Sequence, residues 1–206
     1  MKLILHKFYT FGYEIKIEIK IDRVDVSLVC PVRTRRFRIG WRLEAGKHAW
    51  IPAGQAPTES LLARGGGIGQ QVYLFGGCSM PSPGKLVNRD DACSFDPRTS
   101  QWRRLRPLPH ANRGLTAAAV RDHYVLLFGG YTASAQEAAG KPADFGFSST
   151  LLAYDIERDD YTELARMPMA VSEMPMIPAG AVIFGIGGEH HMRGRTPRLL
   201  AARLHE

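Results

Sequence analysis

The chain has 206 residues, is 45% hydrophobic, 23% charged and 9% aromatic, and carries a formal charge of +7. That balance suits a globular protein with one or two hydrophobic cores and excludes disordered and collagen-like chains. No apolar run reaches the roughly 18 residues a membrane helix needs, so no membrane partner is expected.

The opening residues, Met1-Lys2-Leu3-Ile4-Leu5-His6-Lys7, hold too short an apolar stretch for a secretory signal, so the chain as written reads as cytoplasmic. Cys30, Cys78 and Cys93 are too few for a disulfide scaffold. A reducing compartment follows by default; a Cys78–Cys93 bridge stays open, because the two lie near each other in one repeat unit.

Charge divides the chain. Residues 1–47 hold 11 Lys/Arg against 5 Asp/Glu, whereas residues 48–206 hold 16 against 15. This predicts a basic, β-rich N-terminal extension over 1–46 and a nearly neutral body over 47–206, and a neutral body is poorly suited to binding nucleic acid.

From Tyr13 to Val29 the sequence alternates, with Ile15, Ile17, Ile19 and Ile21 followed by Val24, Val26 and Leu28. Period-2 alternation with β-branched residues predicts half-buried strands, and Asp22-Arg23 marks a turn between them. Arg33, Arg35, Arg36, Arg38 and Arg42 then interleave with Phe37 and Trp41. Arginines with aromatics can hold a nucleic acid, but no binding fold surrounds them, and the plainer reading is a strand with a basic exposed face.

The body repeats. Val72-Tyr73-Leu74-Phe75-Gly76-Gly77 recurs as Val125-Leu126-Leu127-Phe128-Gly129-Gly130, and loosely as Val182-Ile183-Phe184-Gly185-Ile186-Gly187-Gly188; the diglycines are 53 and 58 residues apart. Downstream stand Phe95-Asp96, a polar turn and Trp102, then Tyr154-Asp155, a polar turn and Tyr161. Two strands joined by an Asp-capped turn account for each copy. Arg64-Gly65-Gly66-Gly67-Ile68-Gly69 imitates a phosphate loop but lacks its Gly-Lys-Ser/Thr ending and a following helix.

This pattern resembles the kelch repeat, each unit of which forms one four-stranded β-propeller blade. The resemblance implies an all-β fold: a partial kelch-type β-propeller of about three blades, over 62–109, 110–168 and 169–206. Trp50, in Lys47-His48-Ala49-Trp50-Ile51-Pro52, takes the late-aromatic place of an outer strand, either ending a preceding blade or closing the third. Propellers close with four or more blades. A homodimer completing a six-bladed ring is therefore expected, or else a fragment of a longer ancestral chain.

In its blade details the chain is also similar to bacterial kelch proteins of the N-acetylneuraminate epimerase (sialic-acid mutarotase) type. Arg113-Gly114, the long insert from Tyr131 to Ser149, and Gly187-Gly188-Glu189 followed by basic residues carry this likeness, which covers about half of a typical member. It implies an isomerase that exchanges sugar anomers, needs no cofactor and no metal, and has relatives that are often periplasmic or secreted. Anomer exchange needs one acid–base carboxylate, and a sugar acid needs a cation, best a guanidinium. Glu189, with Arg193 or Arg195, matches the motif. Arg64 and Arg113 each open an inner strand, so both are expected to project into the channel as further candidates for an anionic ligand. The adjacent His190 and His191 point to opposite faces of a strand, which disfavours a metal.

Two alternatives stand beside the sugar partner. One is an interaction module without chemistry that uses rim loops 78–91 and 131–149 to hold a protein; the other is an inactive half-propeller.

Overall fold

The computed structural model describes residues 48–58 and 60–204 and the backbone of five short strands before them. Those strands are β1 (Lys2–Ile4), β2 (Tyr9–Thr10), β3 (Tyr13–Glu14), β4 (Glu18–Lys20) and β5 (Ile39–Leu43). β4 pairs with β1 and β3 with β2. The turn expected at Asp22-Arg23, Cys30, and the arginines at 33, 35, 36 and 38 lie outside the described residues.

β5 pairs with β6 (Trp50–Gln55), Leu43 opposite Trp50. This strand pair lies ahead of the first blade, and an added Cβ on Gly54 would sit 3.3 Å from the Ser100 carbonyl and 3.7 Å from Trp102 Nε1. Arg104 donates to the Pro57 carbonyl at 2.8 Å. Of the two places open to the Trp50 strand, the structure thus gives the one before the first blade.

The first blade comprises β7 (Arg64–Ile68), β8 (Gln71–Phe75), β11 (Ala92–Asp96) and β12 (Gln101–Arg104), with the hairpin β9 (Cys78–Ser82) and β10 (Lys85–Asn88) inserted after the diglycine. The second comprises β13 (Thr116–Val120), β14 (Tyr124–Phe128), β15 (Thr150–Asp155) and β16 (Asp160–Arg166), with helix α1 (Ala135–Ala138) in its insert. The third sheet joins β17 (Met176–Ala179), β18 (Val182–Ile186) and β21 (Leu199–Arg203), and carries the hairpin β19 (Glu189–His191) and β20 (Gly194–Arg195). Every sheet pairing among the described residues is antiparallel, and the glycine run that imitates a phosphate loop forms the inner strand β7.

Burial follows from stacking. Phe75, Ala92, Leu115, Val125, Leu127 and Tyr154 fill the space between the first two blades. Ala118, Val120, Leu126, Phe128 and Ile183 fill the next. β14 is covered on both faces, so its sequence is an unbroken apolar run, whereas β18 buries Ile183 to 1% exposure and leaves Ile186 49% exposed. Inner strands meet closely: an added Cβ on Gly66 would lie 3.3 Å from Ala119 N, which explains why β7 and β13 are rich in glycine and alanine.

The expected turns form as read. Asp96 accepts from Arg98 N at 2.9 Å, and Asp155 accepts from the backbone N–H of Glu157 and Arg158 at 2.9 and 3.0 Å. Tyr161 stacks edge-on to Phe75 across the blade interface, with centroids 6.4 Å apart. Cys78 and Cys93 are buried and free, so no bridge joins them. Burial pushes the Cys93 thiol up to about 12, aided by the nearby Asp91 charge.

Candidate functional site

Each diglycine ends the second strand of a blade and turns the backbone through the left-handed region, with Gly129 at φ 61° and Gly130 at φ 102°. The residue that follows pairs with one in the loop entering the blade: Cys78 with Leu61, Tyr131 with Arg113, Glu189 with Ser172. After each partner comes a left-handed residue, Leu62, Gly114 or Glu173. Arg113 therefore corresponds to Leu61, and Arg64 to Thr116. The two arginines share a sequence context, not a structural position.

These three stations are hydrogen-bonded to one another around one rim. Gly77 N donates to the Asn112 carbonyl at 2.7 Å, and Glu173 N donates to the Gly114 carbonyl at 2.6 Å. Met192 N, on the third blade's hairpin, donates to the Ala143 carbonyl of the second blade's insert at 2.8 Å. Asn88, on the first blade's hairpin, donates to the Tyr131 and Ala133 carbonyls at 3.0 and 3.2 Å.

Arg113 sits at the centre of this network. Its guanidinium donates to Asn88 Oδ1 at 2.6 Å and lies 4.3 Å above the Tyr131 ring, so it joins the first blade's hairpin to the second blade. Arg64 donates to its neighbour's carbonyl, Ala63, at 3.2 Å. No hydrogen bond or ion pair joins Arg64 or Arg113 to the Glu189 hairpin among the described residues.

Glu189 and Arg195 are cross-strand partners in β19–β20. The Glu189 carboxylate accepts from Arg193 N at 2.7 Å and so caps its own hairpin turn, where Arg193 adopts φ 63°. Arg195 points instead to Glu173, at 3.4 Å. His190 Nδ1 lies 3.1 Å from the Gly194 carbonyl, and Gly194 has no room for a Cβ beside the His191 ring. The hairpin thus brings Glu189, Arg193 and Arg195 together, with Glu189 and Arg195 already partnered.

The second blade's insert is well folded. Ser134 and Glu137 form a capping box at α1, and Tyr131 meets Phe147 edge-on at 5.1 Å. Its tip exposes Phe145 at 38%, while the neighbouring loops expose Met80 (48%), Val87 (41%) and Met192 (43%). Local apolar–polar pattern does not reveal these side chains as a set, because they come from three blades.

A model of the kelch motif matches residues 63–109, the first blade. Kelch-like protein 40 of Xenopus laevis is 23% identical over 135 residues, covering 66% of this chain and 19% of that protein. Kelch-like protein 36 of Bos taurus is 28% identical over 110 residues, covering 51% of this chain and 16% of that protein. The chain spans no more than about a fifth of the length of these curated relatives. The solved structure of YjhT superposes with a TM-score of 0.69 at 19% identity, covering 81% of this chain and 57% of that one. Motif, relatives and superposition agree with the strand order: the chain is built of kelch repeats and folds as part of a kelch-type β-propeller.

Proposed function

We propose that this chain is a kelch interaction module that holds a protein partner on the rim formed by the inserts of its three blades. One observation carries this: three loops from three blades are hydrogen-bonded into a single surface, and each presents a large apolar side chain to solvent. Exposed apolar groups on a built, polar-rimmed surface mark partner sites, and hydrogen bonds between the loops lower the entropy lost on binding. The loops predicted from sequence, 78–91 and 131–149, are two of the three, and the β19–β20 hairpin is the third. The test is a quantitative capture comparison between the 206-residue chain and a Met80→Ser/Phe145→Ser/Met192→Ser variant. A partner set lost only from the variant is expected; identical sets would overturn the assignment.

Sugar chemistry of the mutarotase type is the second reading. The observation favouring it is the Glu189–Arg195 cross-strand register, which puts a half-buried glutamate and an arginine opposite each other on one hairpin at the same rim. Glu189 would act as the acid–base group and Arg195, Arg193, Arg113 and Arg64 as carboxylate partners. Glu189 would first have to release the Arg193 N–H, and Arg195 would have to release Glu173. NMR exchange between the anomers of a free sialic acid, measured with wild type and Glu189→Gln, decides the matter; equal rates would remove the catalytic role.

Self-association is a further proposal. Ile177 (51%), Ile186 (49%) and Leu199 (62%) leave one face of the third sheet apolar and open, as a half-ring awaiting a second copy would. A monomer by light scattering would refute it.

A further inference from the structure

The opposite end of the blades, where the first strand turns into the second and the third into the fourth, holds a cleft that the rim does not use. It lies between the first two blades and has a volume of about 620 Å³. Register builds it: Tyr73 on β8 is opposite Ser94 on β11, which is opposite Arg103 on β12. Directly paired residues point to the same face with Cβ atoms about 5 Å apart, so a phenol, a hydroxyl and a guanidinium form one row across the sheet. Nearer the opening, Gln101 stands opposite Asp96, and Gln71 lines the wall. The second blade supplies Asp122 and Ile156 from across the cleft.

The row is polar, with Tyr73 and Ser94 buried and Arg103 exposed at its edge. Tyr73 is 7% and Ser94 3% exposed, yet neither hydroxyl has a hydrogen-bond partner among the described residues. Nor does the Arg103 guanidinium pair with any carboxylate there, although Arg98 pairs with Asp96 at 3.1 Å and Arg104 with Asp91 at 3.7 Å. Hydroxyls without a protein partner that open onto a cleft, beside a guanidinium without a carboxylate, are free to bond water or a ligand there. Burial raises the Tyr73 phenol, and the Arg103 charge opposes that shift.

The chemistry of the row selects the ligand. A guanidinium fork with two hydroxyl donors beside it complements a carboxylate. The amides of Gln71 and Gln101 and the carboxylate of Asp122, toward the opening, complement hydroxyl groups. Asp122 and Asp96 disfavour a multiply charged anion such as phosphate. We infer that the cleft between the first two blades is a binding site for a small hydroxycarboxylate, its carboxylate on Arg103, Ser94 and Tyr73 and its hydroxyls on Gln71, Gln101 and Asp122.

Calorimetric titration of the 206-residue chain with glycerate, glycerol and inorganic phosphate tests this. Glycerate is expected to bind, glycerol to bind at least about tenfold more weakly, and phosphate to compete poorly. Arg103→Gln should weaken glycerate by at least about tenfold, and Ser94→Ala and Tyr73→Phe by roughly two- to tenfold each. Arg104→Gln removes the same charge from the opposite face of β12 and should change nothing. Arg103→Lys keeps the charge without the fork and should fall between wild type and Gln. Thermal melting confirms that each variant is folded. Absence of glycerate binding, equal binding of glycerate and phosphate, or equal loss in Arg103→Gln and Arg104→Gln would each overturn the site.

Discussion

Replacing Tyr154 with Phe isolates one hydrogen bond of the second blade at its boundary with the first. The ring is fully buried and packs 5.1 Å from Phe75 and 5.0 Å from Tyr161, contacts that Phe preserves. Its hydroxyl donates to Asp159 Oδ1 at 2.6 Å, and the same oxygen accepts from Arg106 N, on the first blade's tail, at 2.9 Å. Burial first, and this hydrogen bond second, raise the phenol well beyond the usual tyrosine range, so it donates at any physiological pH. A hydrogen bond to a charged group contributes about 1.5–3 kcal/mol, and Asp159 recovers part of that from water because it is only half-buried. The expected loss is about 1–2 kcal/mol, or roughly 2–8 °C in Tm for a chain of this size. Urea and thermal denaturation measure it. Asp159 itself lies at φ 52°, which glycine tolerates, so Asp159→Gly removes the acceptor without backbone strain. In that background Tyr154→Phe should cost nothing, since the hydroxyl has already lost its partner. Additive losses within about 0.3 kcal/mol would refute the coupling.

Glycine positions should separate by crowding. Gly130→Ala places a methyl on the Asn112 side chain at φ 102° and should cost about 3 kcal/mol or more, whereas Gly69→Ala, at φ 59° with open space around it, should cost only about 1 kcal/mol by the same denaturation assay. Acid stability should depend on Asp155, whose carboxyl is held below the usual range first by the Arg158 backbone N–H. Its contribution is present above the ordinary carboxylate pKa of about 4 and is lost as pH falls through the lower folded value. Asp155→Asn keeps the acceptor oxygen, so it should flatten that acid limb in pH-dependent melts; an unchanged limb would assign it to other carboxylates. Thiol labelling at pH 8 of a Cys30→Ser variant should find Cys78 and Cys93 inert until the protein is denatured, because burial raises both thiols; rapid native labelling would contradict their placement.

The repeat was legible in the sequence because each blade is a local object. A strand, a diglycine, an aromatic-Asp turn and a late aromatic need only neighbouring residues to form, so Phe75-Gly76-Gly77, Asp96 and Trp102 announce their own geometry, and so do Phe128-Gly129-Gly130, Asp155 and Tyr161. The apolar run of β14 likewise followed from burial on both faces. Side-chain partners were not legible in the same way. Arg64-Gly65 and Arg113-Gly114 look alike, yet only the pairing of Arg113 with Tyr131 shows that they occupy different positions. The Glu189 carboxylate meets Arg193 N because a tight hairpin folds it back, and Arg195 turns to Glu173 from the preceding loop. The exposed tips Met80, Phe145 and Met192 come from three blades, and the row of Tyr73, Ser94 and Arg103 is set by the register of three strands within the first blade. Sequence by itself determined the strands, their turns and the blade period, since those depend on local conformation and alternation. Only the tertiary structure decided which polar groups are already satisfied and which face an open cleft, since that depends on register and on how one blade stacks against the next.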